Sequence, residues 1–210
     1  MDFTKAKLMV EKGDIGELVF VESEYAHDYI NSRGYDDWRV TPEREGMIGG
    51  GCHAVDFLRW VAGNPTEVTA YSNHKYLTEW PANDTTIAIY KFPNNVIGKV
   101  FCSIGVKRDY TMRTCLYGTE GTLIFESQGT EMKFYQCDKN GKYYTTPRLL
   151  PIKPIDHNMA AEISDFVNAI IEDKPSPISS FEGAATVAVC RATVESAKIG
   201  APVQIRYPEE

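Results

Sequence analysis

The sequence lacks the segments that mark membrane and secreted proteins. No apolar run in its 210 residues approaches the ~20 needed to span a bilayer. Residues 1–12 mix lysines with apolar residues, unlike the continuous apolar core of a secretory signal. The five cysteines are widely spaced and form no C-x-x-C pair, so neither a zinc cage nor a disulfide framework is indicated. We therefore expect a cytoplasmic protein with reduced cysteines and no membrane partner.

Clusters of positive charge are also missing. The chain has 22 Lys and Arg against 29 Asp and Glu, which gives a formal net charge of −7. The basic residues are scattered along the sequence. Nucleic-acid-binding proteins need a concentrated basic surface to meet the phosphates. The sequence therefore excludes nucleic acid as a main partner.

A dinucleotide-binding motif is absent from the printed chain. Such a fold opens with a strand, a G-x-G-x-x-G turn and a helix, because the glycines let the backbone approach the pyrophosphate. The nearest glycine cluster, residues 46–51, has a different spacing and follows an irregular loop. Nor do strands and helices alternate over a length that would build a doubly wound sheet. We expect this chain alone to bind neither NAD nor NADP, and it shows no metal-ligand pattern.

Apolar periodicity divides the chain into helical ends and a strand-rich middle. It predicts helices over residues 2–12, 52–62, 158–172 and 180–198, and strands over residues 16–27, 67–77, 85–92, 96–104, 110–117, 122–126, 131–137 and 203–205. Ser179 and Glu182 have capping-box spacing, and Gly200 stands where a helix stops. Residues 30–51 show no periodicity and are predicted to be a long loop. The third helix is expected to bury the set Met159, Ile163, Phe166, Val167, Ile170 and Ile171.

The succession of strands predicts one α+β domain over residues 1–210. Strands joined by tight turns pair antiparallel, so we expect a large, open, mostly antiparallel sheet with helices packed on one face. Aromatic residues point to both faces of that sheet: Tyr71, Tyr90, Phe92, Phe101 and Tyr117. An exposed apolar sheet face is costly in water. We therefore expect a homodimer or a higher homo-oligomer formed through the open face.

His53 is the leading candidate for chemistry. It follows three glycines, Gly49 to Gly51, and stands in the first turn of a predicted helix. Unpaired amides and the helix dipole there would favour a neutral imidazole, which can accept a proton as a general base. Asp56 would share its helical face and could orient the ring. The simpler alternative is that His53 caps the helix and Asp56 complements the dipole.

Other candidate pocket residues lie outside the central helix. Trp38 and Arg39 precede the glycines, where the arginine would bind a hydroxylated or acidic substrate; the alternative is a loop pinned by the tryptophan. His27 and Tyr25 end the first strand and could line a pocket. His157 stands beside Asp156, whose alternative role is to cap the next helix. Lys107, Arg108 and Trp80 are expected on the surface, the tryptophan facing a partner subunit.

Several of these residues carry a resemblance to a known family. The run Gly49-Gly-Gly-Cys-His53-Ala-Val-Asp56, continuing to Trp60 and Gly63, resembles the G-G-G…H-x-x-D…W-x-x-G signature of the glucose–fructose oxidoreductase / inositol dehydrogenase / MocA family. Trp38-Arg39 and the Gly-Thr-Glu-Gly-Thr-Leu turn at residues 118–123 are similar to motifs of its C-terminal domain. The resemblance covers nearly the whole chain, but only the family's second domain. Gly49 departs from it, because many members have an Asp four residues before the His.

The resemblance implies a fold and a reaction. Members pair an N-terminal Rossmann domain, which binds NAD or NADP, with an open-sheet domain like the C-terminal domain of dihydrodipicolinate reductase. Substrate lies between the domains, and hydride leaves a carbinol carbon while a His or Lys takes the hydroxyl proton. By position, His53 would be that base. On the grounds given above from the residues themselves, Trp38, Arg39, Asp56, His27 and His157 are the candidates for binding the substrate.

Three functions remain open on these grounds. The leading hypothesis is the substrate-binding and oligomerisation domain of an oxidoreductase for a sugar, cyclitol or related polyol, inactive without a nucleotide-binding domain or a separate Rossmann subunit. The second is a stand-alone sugar-binding protein, which Gly49 favours. The third is a purely structural dimer module that binds no ligand.

Overall fold

Nine strands in the described part of the chain form one open sheet, with helices on one face. The computed structural model describes residues 3–34, 38–138, 140–153 and 159–208. The helices are α1 (Phe3–Glu11), α2 (Tyr29–Arg33), α3 (Cys52–Ala62), α4 (Met159–Ile171) and α5 (Ser180–Ile199). The strands are β1 (Leu18–Ala26), β2 (Glu67–Asn73), β3 (Thr85–Lys91), β4 (Ile97–Ser103), β5 (Arg113–Gly118), β6 (Gly121–Glu126), β7 (Glu131–Gln136), β8 (Arg148–Pro151) and β9 (Val203–Gln204). This architecture confirms the predicted α+β class.

The sheet has the strand order β8-β7-β6-β5-β1-β4-β3-β2-β9, and its neighbours are antiparallel except for one central pair. β1 and β4 run parallel, with Tyr25 opposite Cys102. Their carboxyl ends therefore meet at one edge of the sheet. Beyond that edge Asp28 bridges to Gly105. The parallel pair thus brings the end of β1 and the segment after β4 together.

One sheet face carries the core. α3 packs on β1 and α5 packs on β2, and both helices cover the apolar side of the sheet. Tyr90 and Phe92 are buried on this face, with Leu58 of α3 and Val189 of α5. The Tyr90 hydroxyl lies 2.8 Å from the Thr193 hydroxyl of α5, so the buried phenol has a hydrogen-bond partner.

The opposite sheet face is open and partly apolar. Tyr71, Ile87, Ile89 and Ile97 are exposed there. Strand pairing places Ile87 between Tyr71 and Phe101, which aligns these side chains across β2, β3 and β4. The same face also carries charged side chains. Glu22 accepts a hydrogen bond from Arg113 at 2.9 Å and lies 3.1 Å from the Lys99 amine. Both faces therefore carry aromatic surface, as the sequence predicts.

The predicted helix boundaries are largely confirmed where local signals define them. Ser179 accepts a hydrogen bond from the Glu182 amide, and Gly200 adopts the left-handed conformation that ends α5. The predicted loop at residues 30–51 is only partly a loop. It contains α2, capped by Asp28, and a π-helical turn, Met47–Gly51, which we call the glycine turn. The short strand β8 was not predicted.

The predicted burial of α4 is wrong. Met159, Ile163, Phe166, Val167, Ile170 and Ile171 are all exposed, and Ala169 is the one buried residue of this helix. Apolar periodicity reports that a helix has an apolar side, but not which element covers it. α4 therefore presents an uncovered apolar surface.

Trp80 also differs from its expected position. Its side chain is buried and contacts Tyr29, with 6.1 Å between ring centroids. The cause is Asp84, whose Oδ2 accepts from the Tyr76 and Leu77 amides at 2.8 Å and folds the loop inward. Trp80 therefore supports the interior rather than a partner surface.

No helix in the described residues is long and apolar enough to cross a membrane.

Candidate functional site

Tyr25, near the end of β1, is the centre of an aromatic and polar cluster. Its hydroxyl lies 3.3 Å from His27 Nδ1 and 3.2 Å from the Tyr29 hydroxyl. The Tyr29 hydroxyl in turn donates to the Gly49 carbonyl at 3.3 Å. Tyr110 packs against both Tyr25 and His27, with ring centroids 5.4 and 5.1 Å away. A strand end, a short helix and the glycine turn therefore meet at one phenol.

The glycine turn approaches Tyr25 more closely than a turn with side chains could. A Cβ at position 50 would overlap the Tyr25 ring, with Cδ1 and Cζ only 2.9 and 3.0 Å away. Real Cβ atoms do not approach a ring this closely, so Gly50 is required for the packing. At Gly50 the approaching group is the protein's own tyrosine.

His53 lies on α3 beside this cluster and is exposed. Its imidazole stacks on Tyr25, with centroids 5.7 Å apart and 21° between the planes. His53 does not stand at the start of the helical backbone, as the sequence predicts, because the glycine turn leads into α3 without a break. His53 therefore lies more than one turn inside the helical run, where amides find partners one turn back. Its ring is held by stacking on Tyr25.

A cavity of about 650 Å3 opens next to the cluster. It is lined by His27, Asp28, Asn31, Lys107, Arg108, Asp109 and Tyr110. Lys107 donates to Asp28 Oδ2 at 3.2 Å, which ties the segment after β4 to the start of α2. The parallel pairing of β1 with β4 thus builds a polar cavity with His27 and Tyr110 in its wall.

The tyrosines of the cluster are held in their neutral form. Burial, reinforced by the neighbouring Tyr29, raises the pKa of Tyr25 far above its ordinary value. Burial likewise raises the pKa of Tyr110 to about 12. At physiological pH both phenols therefore act as hydrogen-bond donors and acceptors rather than as bases.

Trp38 and Arg39 form a cationic patch before the glycine turn. The Arg39 guanidinium lies 4.2 Å from the Trp38 ring centroid, and that of Arg44 lies 4.7 Å from it. Trp38 itself is 67 % exposed. The stacking includes a second arginine that the sequence prediction did not single out, and the two roles considered for Trp38 and Arg39 stay predictions.

Asp56 is directed to the helix–helix contact. Its Oδ1 accepts from the Thr186 hydroxyl at 2.6 Å and lies 3.6 Å from Arg59 Nη1. Arg59 is buried and also donates to Asn64 Oδ1 and to Glu182 Oε2, both at 2.9 Å. These bonds join α3 to α5 and give the carboxylate a structural role.

The structure brings together part of the predicted site. His53, His27 and Tyr25 form one cluster, while Asp56 belongs to the α3–α5 network. His157 and Asp156 lie outside the described residues. The prediction missed Tyr110, Lys107 and Arg108 as cavity residues. Only a signal for the parallel β1–β4 pairing could have placed them near His27, and none is visible in the local sequence.

The described residues do not fit a dinucleotide. The only consecutive glycines of the chain pack on Tyr25 and its neighbours as a π-helical turn, so they do not form a loop open to phosphates. They also follow α2 and a loop rather than a strand. We assign no residue of this chain to the nucleotide.

An open, mostly antiparallel sheet with helices on one face defines an α+β domain, and a histidine and tyrosine cluster lies at the end of its β1 strand. Residues 3–124 match the model of the GFO/IDH/MocA C-terminal domain. The chain therefore belongs to the glucose–fructose oxidoreductase / inositol dehydrogenase / MocA family of oxidoreductases, and it corresponds to the C-terminal domain.

Relatives agree with this assignment. An uncharacterized oxidoreductase, C115.03, of Schizosaccharomyces pombe is 24% identical over 237 residues, covering 97% of this chain and 64% of its own. Levoglucosan dehydrogenase in complex with NADH and L-sorbose superposes with a TM-score of 0.82 at 21% identity, over 97% of this chain and 62% of that one. An oxidoreductase domain protein of Kribbella flavida gives 0.79 at 20% identity, over 99% and 63%. The chain thus spans less than two thirds of the length of these relatives.

Proposed function

We propose that this chain is the substrate-binding and oligomerisation domain of an NAD(P)-dependent oxidoreductase that acts on a sugar, cyclitol or related polyol. The observation that carries the proposal is the exposed His53 stacked on Tyr25, whose hydroxyl reaches His27 in the wall of the cavity. In this role His53 takes the proton of a substrate hydroxyl. The neutral Tyr25 and Tyr110 hold position and donate hydrogen bonds.

The ligand class is supported by the size and polarity of the cavity. About 650 Å3 suits a small ligand. His27, Asp28 and Tyr110 together offer donors and acceptors for several hydroxyl groups. Levoglucosan dehydrogenase has been captured with levoglucosan and with L-sorbose, both of which carry several hydroxyls.

The nucleotide would be held by a further domain or a separate subunit of Rossmann type. We propose that this unit docks on the apolar side of α4, where Phe166 and Ile170 are exposed. Contact with a covering partner would remove that surface from water. The relatives supply an argument for the occupant, because more than a third of their own length lies outside the match, 36% in the Schizosaccharomyces pombe protein, of which 64% is covered, and levoglucosan dehydrogenase was captured with NADH.

The open sheet face is proposed as a homo-oligomer contact, and the location as cytoplasmic. Tyr71, Ile87 and Ile97 give that face an apolar strip, and an apolar area of ~800 Å2 per partner is typical of a stable dimer. The five cysteines are unpaired in the structure, which supports a reducing compartment.

Imidazole NMR tests the ligand site directly on this chain. The chain has four histidines, so their ring signals can be resolved and assigned by single replacements. Titration with levoglucosan, sorbose or myo-inositol should shift the His53 and His27 signals and leave His74 unchanged, since His74 bonds to the Leu77 carbonyl elsewhere. His53→Gln should weaken binding, with His74→Gln as the matched control.

NAD(H) titration completes the test. The proposal expects no tight binding of NAD(H) to this chain, and dehydrogenase activity only when a Rossmann unit is supplied. Polyol binding without activity in the presence of a competent Rossmann unit would indicate the stand-alone sugar-binding alternative. Failure of every polyol to shift either His53 or His27 would refute the proposed site.

A further inference from the structure

Arg44 places a positive charge against the glycine turn. A Cβ at Gly49 would lie 3.4 Å from the Arg44 Nε and 3.6 Å from one of its terminal nitrogens. Because position 49 has no side chain, the guanidinium lies directly against the backbone of the turn. Among the described residues, no carboxylate forms an ion pair with Arg44; the nearby Glu45 accepts from the Asn83 amide instead.

The same helical run carries His53 on this side. Gly49 and His53 are four residues apart in a run without a break. About one helical turn therefore separates the two positions along this run. The charge of Arg44 also reaches the next turn, since it partly offsets the rise that burial causes in the pKa of the Cys52 thiol.

The Arg44 guanidinium is held against Trp38, and the N–H groups at its edge are available as hydrogen-bond donors. Its central carbon, Cζ, lies over the Trp38 ring, 4.7 Å from the centroid. Stacking uses the π-face of a guanidinium and leaves N–H groups in its plane to form paired bonds with an oxyanion. Arg39 lies over the same ring and adds a second positive charge. Two guanidinium groups therefore lie over one indole ring beside the glycine turn.

We infer that Arg44 anchors the carboxylate of an acidic polyol, so that the substrate of this site is a sugar acid rather than a neutral sugar. The inference rests on the proposed polyol site and specifies its substrate class. In this arrangement Arg44 binds the charged end of the ligand while a hydroxyl of the same molecule faces His53. Phosphorylated sugars present a related oxyanion and are distinguished by the experiment below.

The experiment compares matched ligands on the whole chain. Dissociation constants are measured by NMR titration for glucose, glucuronate and glucose 6-phosphate, which share one ring and differ in the group at carbon six. A paired charge-assisted contact predicts roughly tenfold tighter binding of glucuronate than of glucose. The preference should shrink in high salt, because the contact is partly exposed.

Two variants assign the effect to Arg44. Arg44→Gln should remove the preference for glucuronate over glucose. Arg148→Gln, the same substitution at an exposed position on β8 at the far edge of the sheet, should keep the preference. Arg44→Lys should retain part of it, since it keeps the charge and loses the paired geometry. Circular dichroism checks that each variant is folded.

The outcomes separate this inference from the proposed function. Equal binding of glucose and glucuronate would overturn the inference and leave the polyol site standing. Preference for glucose 6-phosphate over glucuronate, lost in Arg44→Gln, would overturn the assignment to a carboxylate. A preference that survives Arg44→Gln would overturn the role of Arg44. No binding of any of the three sugars, or of the polyols above, would overturn both proposals.

Discussion

Tyr25 and Gly50 are in direct packing contact, with the tyrosine ring lying where any side chain at position 50 would begin. This contact sets the distance between β1 and the glycine turn. It also holds the phenol between His53 on one side and His27 on the other. The geometry of the proposed site therefore depends on a buried glycine.

Replacing this glycine should destabilise the protein. Gly50→Ala forces a methyl group into the Tyr25 ring, and overpacking of this kind costs about 1–3 kcal/mol. Gly183→Ala is the matched control, because nothing lies within 4 Å of its Cβ position and the residue is in α5. That change should stabilise the helix by roughly 0.5–1 kcal/mol. Urea unfolding measures both, and equal effects would contradict the packing argument.

Stability should fall as the solution becomes strongly alkaline. Burial raises the pKa of Tyr110 from 10.0 to about 12, and it raises that of Tyr25 as well. Between pH 10.0 and about pH 12 the unfolded chain has lost phenolic protons that the folded chain still binds. The free energy of unfolding therefore decreases as the pH rises through this range. Below pH 10 the stabilising contribution of the buried, protonated phenols is fully present.

Denaturant midpoints at about pH 8 and about pH 11 would check this decline. Tyr110→Phe should make it shallower, because one shifted phenol is removed. Tyr143→Phe, at an exposed tyrosine, should leave it unchanged. A midpoint that does not move with pH would argue against burial of these phenols.

Substitutions of Arg59 and Asp56, which belong to the α3–α5 network, should differ in how much they lower the free energy of unfolding. Arg59→Met removes a buried guanidinium with four hydrogen bonds, at a cost of about 3 kcal/mol. Asp56→Asn affects a carboxylate whose side chain is 63% exposed, so it should cost less than about 1 kcal/mol. Polyol affinity should be unchanged in Asp56→Asn. Lost polyol binding there would restore the substrate role that the sequence suggested.

Self-association should depend on the open sheet face. Ile87→Lys with Ile89→Lys puts two charges into the apolar strip of β3 and should convert the oligomer to a monomer in light scattering at micromolar concentration. Ile170→Lys on α4 adds a charge to the other uncovered surface and should leave self-association unaltered. A monomeric unsubstituted chain, or dissociation only by the α4 variant, would rule out the sheet face.

Local signals predicted most of the elements. The Ser179 cap, the Gly200 stop and the short turns between strands involve residues close in sequence, so they can be recognised there. β8 was missed because the three residues between Pro147 and Pro151 carry too short a pattern. The glycine turn was missed because no sequence rule distinguishes a π-helical turn from a loop.

The candidate site was predicted in part. His53, His27 and Tyr25 were singled out, and the structure places them in one cluster. Lys107 and Tyr110 line the cavity only because β1 pairs with β4. Two other strands, β2 and β3, separate β1 from β4 in the sequence. Asp56 was expected beside the imidazole, and instead Thr186 on α5 takes its carboxylate.

The order of strands and helices, the mostly antiparallel class of the sheet and the position of the imidazole on α3 were determined by the sequence alone, because periodicity, caps and turns act between near neighbours. Tertiary structure decided which surfaces are covered: Trp80 is buried and the apolar side of α4 is not. It also decided that Arg44 lies against Gly49. Burial and charge placement depend on contacts between segments that are far apart in the sequence, and those contacts form only when the chain folds.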